Sequence, residues 1–128
     1  MIDIALGLFS DGRDADLAAF AREVSASYMA QWRDMELFDD DVEGWGQAFE
    51  QVVTRTLARG GRIHFNLTGM NIEEALRDDP LVWVGRYTAW ELQQIVRNRD
   101  WIAATVFYCD GVALTATEAA ALGIELVS

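Results

Sequence analysis

The sequence predicts an α+β (or α/β) single domain: a small, mostly antiparallel sheet packed against two long N-terminal helices. Three observations lead there. Apolar residues recur at spacings of three and four over residues 14–32 and again over 42–57, the period of an amphipathic helix. Residues 62–67, Arg62-Ile63-His64-Phe65-Asn66-Leu67, alternate polar and apolar, the period of a half-buried strand. Asp110-Gly111, a hairpin turn signal, separates two apolar runs. A length of 128 residues fits one domain, with 1–60 mainly helical and 61–128 strand-containing. A chain of that size builds a core without metal or disulfide support.

Taken in order, IDIALGLF at 2–9 reads as a short buried strand, and Ser10-Asp11-Gly12 as a turn. Leu17, Phe20, Ala21, Val24, Tyr28 and Trp32 then form one face of a helix from about Asp14 to Trp32. Asp14 and Asp16 suit its positive N-terminal end. Asp39-Asp40-Asp41 breaks the pattern, as a solvated loop or N-cap does. Val42, Trp45, Phe49, Val52, Val53, Thr56 and Leu57 make the second helix, and Gly60-Gly61 stops it.

The strand at 62–67 puts Ile63, Phe65 and Leu67 on one face and Arg62, His64 and Asn66 on the other. Asn71 to Leu76 is a short helix closed by Asp78-Asp79-Pro80. Thr88-Ala89-Trp90-Glu91 is a capping box that opens a helix ending near Asn98. AATVFY at 103–108 and Val112-Ala113-Leu114 are the hairpin strands. Thr115-Ala116-Thr117-Glu118 is a second capping box, opening a last helix that Gly123 ends.

Composition narrows the chemistry. The chain is 52% hydrophobic and 24% charged, a globular balance. Its net charge of -11 opposes association with phosphates and favours a basic partner surface. All ten basic residues are arginine, which removes Schiff-base lysine and P-loop lysine chemistry. One cysteine, Cys109, forms no internal disulfide. One histidine and one cysteine make no usual zinc site, so no metal or other cofactor is expected. No apolar run spans a membrane and the start has no basic n-region, so a cytoplasmic site of action is expected.

Few residues remain for catalysis. His64, the sole histidine, is the natural acid or base, with Asn66 beside it. Arg86 precedes a helix N-terminus, where anions bind, and Glu91 follows as a carboxylate base. Trp83, Tyr87 and Trp90 are spaced for core packing or for stacking a base. Cys109 would need a neighbouring histidine or helix N-terminus to become a nucleophile. No nucleophile-elbow motif is present, and Gly60-Gly61 precedes a strand, so it is no phosphate loop.

The stretches GGRIHFNLTGMN, RYTAWELQQIV and TVFYCDGVALT resemble C-terminal domains of bacterial polymorphic toxins of the Rhs and contact-dependent inhibition type. The matching positions are Ile63, His64, Phe65, Asn66, Leu67 and Gly69, then Thr88, Glu91 and Leu92, then Thr105, Phe107, Tyr108 and Gly111. FAREVSASYMAQW and GWGQAFEQVV resemble the preceding helical part of those tips. The resemblance implies a toxin effector domain delivered into a target bacterial cell, an intracellular target and a cognate immunity protein. Many nuclease toxins are basic, and this chain is acidic.

The expected activity is that of a metal-independent ribonuclease with Glu91 as base, His64 as acid and Arg86 or Arg62 on the phosphate. Asn66, Arg62, Tyr87, Thr88 and Tyr108 would contact substrate. Two other readings stand beside it. One is a non-catalytic acidic module, an immunity-type protein whose Asp39-Asp40-Asp41 and Asp78-Asp79 steer it to a basic effector toxin. The other is a toxin directed at a nucleotide such as NAD.

Overall fold

The helices that separate successive strands decide how the sheet is wired. In the computed structural model, which describes residues 2–7, 14–28, 42–77 and 87–125 (backbone alone at 14, 42–45, 87 and 88), eleven elements follow one another. They are β1 (Asp3–Gly7), α1 (Asp14–Glu23), β2 (Ala26–Tyr28), α2 (Val42–Ala58), β3 (Ile63–Asn66) and α3 (Ile72–Arg77). Then come α4 (Tyr87–Val96), α5 (Arg99–Ala103), β4 (Thr105–Cys109), β5 (Val112–Ala113) and α6 (Ala116–Ala121).

The five strands form one sheet in the order β2-β1-β3-β4-β5. The α+β class is as expected, but the strand directions are not mostly antiparallel. β1 pairs parallel with β2 and with β3, and β3 pairs parallel with β4. Only β4 and β5 are antiparallel, across the turn at Asp110 and Gly111. The cause is connectivity: a two-residue turn returns the chain antiparallel, whereas a helical crossover brings it back parallel. The sheet also draws β1 and β2 from the largely helical first half of the chain, and β1 lies between β2 and β3.

The first helix is shorter than its apolar spacing predicts. It stops at Glu23 rather than Trp32, after 10 residues. Ser25 then takes a left-handed conformation with φ 55°, and Ala26–Tyr28 pairs with β1. Val24 and Tyr28 fit a helical stripe, but Ala26 and Tyr28 also fit an alternating strand facing α1. Pairing with β1 selects the strand. Residues 29–41, with Trp32 and Asp39-Asp40-Asp41, lie outside the described residues. So two long helices reduce to one of 17 residues, α2, and one of 10.

α2 ends where the double glycine places its stop. Gly60 has φ 77°. The Gly61 N–H donates to the Thr56 carbonyl and the Gly60 N–H to the Leu57 carbonyl, the paired bonds of a Schellman cap. α4 begins at Tyr87, one residue before the expected cap at Thr88, whose side chain lies outside the described residues. It ends at Val96, because Asn98 caps a further short helix, α5, accepting from the N–H groups of Asp100 and Trp101. That helix takes Ala103, so β4 starts at Thr105. The capping box of Thr115 and Glu118 is present, at 3.1 and 3.0 Å.

The two faces of the sheet are unequal. Ile4 and Leu6 of β1, Ile63 and Phe65 of β3 and Phe107 of β4 share one face. They are buried with Phe49 and Val53 of α2 and Leu92 and Ile95 of α4. Each such large side chain contributes roughly 1.5–3 kcal/mol on burial. On the other face, Ala5 and Ala26 meet Leu17, Phe20 and Ala21 of α1. Small residues there let the short helix α1 lie close to β1 and β2. Among the described residues, no helix is long and apolar enough to cross a membrane.

Candidate functional site

Alternation along β3 decides which face His64 occupies. With Ile63, Phe65 and Leu67 turned into the main core, Arg62, His64 and Asn66 lie on the face that α1 partly covers. Parallel register puts Asp3 beside Arg62, Ala5 beside His64 and Tyr108 beside Asn66 on that same face. Four polar side chains from three strands therefore converge: Asp3, His64, Asn66 and Tyr108.

Their hydrogen bonds make a chain. His64 Nε2 lies 2.8 Å from Asp3 Oδ2, and His64 Nδ1 lies 2.8 Å from the Tyr108 hydroxyl. The second Asp3 oxygen accepts the Arg62 backbone N–H at 3.0 Å. The hydrogen bond from His64, with that from Arg62, holds the Asp3 carboxyl below its ordinary pKa, against a smaller opposing effect of burial. Asp3 is thus a carboxylate that only accepts, so Nε2 must carry the proton it shares with Asp3. In neutral His64 the Nδ1 lone pair is then free to accept, and the Tyr108 O–H donates to it. Burial pushes the Tyr108 phenol up, with Arg62 pulling it down and Asp3 adding to the rise. Tyr108 keeps its proton at neutral pH and releases it only to a base in contact.

Tyr108 connects this chain to a groove. Asp16, Phe20 and Glu23, on one side of α1, face Asn66, Tyr108 and Gly111 across a space of about 420 Å³. The Phe20 and Tyr108 rings meet edge to face, with centroids 5.0 Å apart. The groove lies beside the carboxyl ends of β3 and β4, where open parallel sheets bind ligands. The sheet order also reverses here, since β1 leads to β2 on one side and has β3 on the other. β1 ends at Gly7 with φ 110°, and a Cβ there would lie 2.1 Å from the Asn66 carbonyl oxygen. Only glycine lets the two strand ends come this close.

Asn66 is 8% exposed and its side-chain oxygen accepts the Thr68 N–H at 3.0 Å. Thr68 in turn accepts the Asp110 N–H, tying this strand end to the β4–β5 turn. A larger hollow, about 500 Å³, runs along α2 and, among the described residues, is lined by that helix alone. It gathers no buried polar group from a second element.

The expected substrate residues divide accordingly. His64, Asn66, Tyr108 and the main chain of Arg62 are brought together on one face. Glu91 is not beside them in the sheet: it is 1% exposed on α4, whose Ala89, Leu92, Ile95 and Val96 pack on the opposite face. Arg86, Trp83 and the acidic pair Asp78-Asp79 lie outside the described residues, as do the side chains of Tyr87 and Thr88. Cys109 follows Tyr108 and so turns to the face away from His64. Burial, then Asp110 at 3.8 Å, pushes its thiol pKa up, the reverse of activation. Among the described residues, no group of three His, Cys, Asp or Glu could hold a metal.

Asp3 is the residue that sequence reasoning missed. Its one signal was a carboxylate inside an otherwise apolar strand, IDIALG. A comparison with family models, with curated proteins and with solved structures gave no match.

Proposed function

We propose that this chain is a toxin-type effector domain that acts on an intracellular target, with proton transfer between Tyr108 and His64, supported by the Asp3 carboxylate, as its chemistry. The observation that carries the reading is one buried histidine held at 2.8 Å on both ring nitrogens, by a carboxylate and by a phenol that lines a groove. A hydrogen-bonded histidine in a cleft is the usual arrangement for general acid–base work.

The relay works as follows. Tyr108 gives its hydroxyl proton to His64 Nδ1 as the phenol oxygen takes a proton from a substrate group in the groove. The imidazolium that forms is stabilised by the Asp3 carboxylate on Nε2. Returning that proton through Tyr108 to the reacted group restores His64 for another cycle. This assignment gives the role of acid–base partner to Asp3 rather than to Glu91, whose helix packs on the other face. A net charge of -11 favours a small target over a polyanion. That supports a nucleotide-directed effector above a ribonuclease. A cognate immunity protein with a basic surface would complement the same charge.

The test is inducible expression in a bacterial host of the wild type, His64→Ala and Tyr108→Phe, with growth, RNA, DNA and NAD followed. Wild type should arrest growth and deplete one of the three pools. Both variants, shown to be folded by circular dichroism, should leave growth and pools intact. Harmless expression of wild type that rescues cells from a co-expressed basic toxin would instead establish the immunity-type module.

A further inference from the structure

The groove between α1 and the ends of β3 and β4 has a recognisable set of groups. Among the described residues, the charged ones lining it are Asp16 and Glu23, about two turns apart on the same side of α1. Phe20, Val24 and Tyr108 supply apolar and aromatic surface. Asn66 supplies donors. Because its oxygen is committed to the Thr68 N–H, the orientation of the amide is fixed. The remaining NH2 group has no partner among the described residues, on a side chain 8% exposed that lines the groove. A buried donor left without an acceptor is costly, and a ligand carbonyl would satisfy it.

We infer that this groove binds a small flat ring bearing a carbonyl acceptor, and that it prefers a cationic ring to a neutral one and rejects an anionic one. The carbonyl takes the Asn66 NH2. The ring rests against Phe20 and Tyr108, within reach of the Tyr108 hydroxyl. A positive charge on the ring is favoured by Glu23, and a carboxylate or phosphate in the same place is repelled by it. The inference rests on the proton relay only for what happens after binding, when the Tyr108 hydroxyl is the acid–base group beside the bound ring.

Three probes of one size separate shape from charge: 1-methyl-3-acetylpyridinium, 3-acetylpyridine and nicotinate. Binding to the full chain is followed by NMR, reading the Gly111 amide and Tyr108 ring signals. The cation should bind tightest, the neutral ring about threefold more weakly, and nicotinate at least roughly tenfold more weakly than the cation. Asn66→Asp keeps the acceptor for the Thr68 N–H and removes the donors, so the neutral ring should lose roughly tenfold. Glu23→Gln, on an exposed helix position, should lower affinity for the cation about threefold and leave the neutral ring unchanged.

Nicotinate binding as tightly as the cation, neutral-ring affinity unchanged in Asn66→Asp, or no binding by any probe would each overturn the assignment. The measurement needs no turnover, so it separates the two readings. Probe binding with harmless expression overturns the effector proposal alone, and His64-dependent growth arrest without probe binding overturns the groove ligand alone.

Discussion

The two faces of the sheet are built from alternate residues of the same strands, yet they obey different rules. Toward α2 and α4, Ile63, Phe65 and Leu67 are at most 1% exposed and belong to the main apolar core. Toward α1, His64 and Asn66 are almost as buried, at 9% and 8%, but their neighbours are Asp3, Tyr108 and a groove. Burial on the first face stabilises the fold. Burial on the second requires each polar atom to find a partner, which stabilises little on balance but fixes geometry. The comparison teaches that one strand can be a core element and a chemical element at once, divided by the period of two.

Substitutions on β3 and its neighbours can break this division. The largest effect belongs to the apolar face. Phe65→Ala should cost about 3–5 kcal/mol and lower the urea midpoint so far that activity disappears with the fold. His64→Gln should do the opposite: a loss of about 10²–10⁴ in rate, with a destabilisation of only about 1–2 kcal/mol. If the two substitutions cost equal stability, the faces are not functionally distinct.

Asp3→Asn comes next and tests the electrostatic part. The folded-state pKa of Asp3 lies below its unfolded value, so its contribution is complete above the ordinary carboxylate range and is lost as pH falls through the lowered value. At neutral pH the variant should be less stable by about 1–2 kcal/mol, and the difference should vanish in acid. Melting temperatures of both proteins from neutral to strongly acidic pH provide the check. A constant gap across that range would mean that the carboxylate charge plays no part.

Cys109→Ala should have the smallest effect. Its thiol is turned from His64 and held protonated, so activity should stay within about twofold of wild type, with a stability change under roughly 1 kcal/mol. Rapid inactivation of the wild type by a thiol reagent, absent in the variant, would show that the sulfur reaches the site after all.

Local signals were legible in the sequence where the physics is local. The alternation of 62–67, the stop at Gly60-Gly61, the hairpin at Asp110-Gly111 and the capping box at Thr115 each depend on neighbours a few positions away. The strand Ala26–Tyr28 did not show, because three residues with helical spacing become a strand only when β1 lies beside them. Parallel pairing was equally hidden, since it depends on which strands the helical crossovers bring together. The site divided in the same way. His64 stood out as the sole histidine, and Asn66 followed from alternation. Asp3 is 61 positions away and enters only through register. Glu91 looked like the partner by residue type, and the layering of α4 placed it on the other face.

The separations within the relay, 44 and 61 positions, have a consequence for timing. The β4–β5 hairpin closes a short loop, whereas β1 and β3 pair across a long one, the kind of contact that slows folding. A one-residue slip at that seam would turn Asp3 away from His64 and bury it against the apolar layer. The contact between Asp3 and His64 therefore exists only once these distant strands lock in correct register, so on the proposed mechanism the appearance of activity would report that pairing.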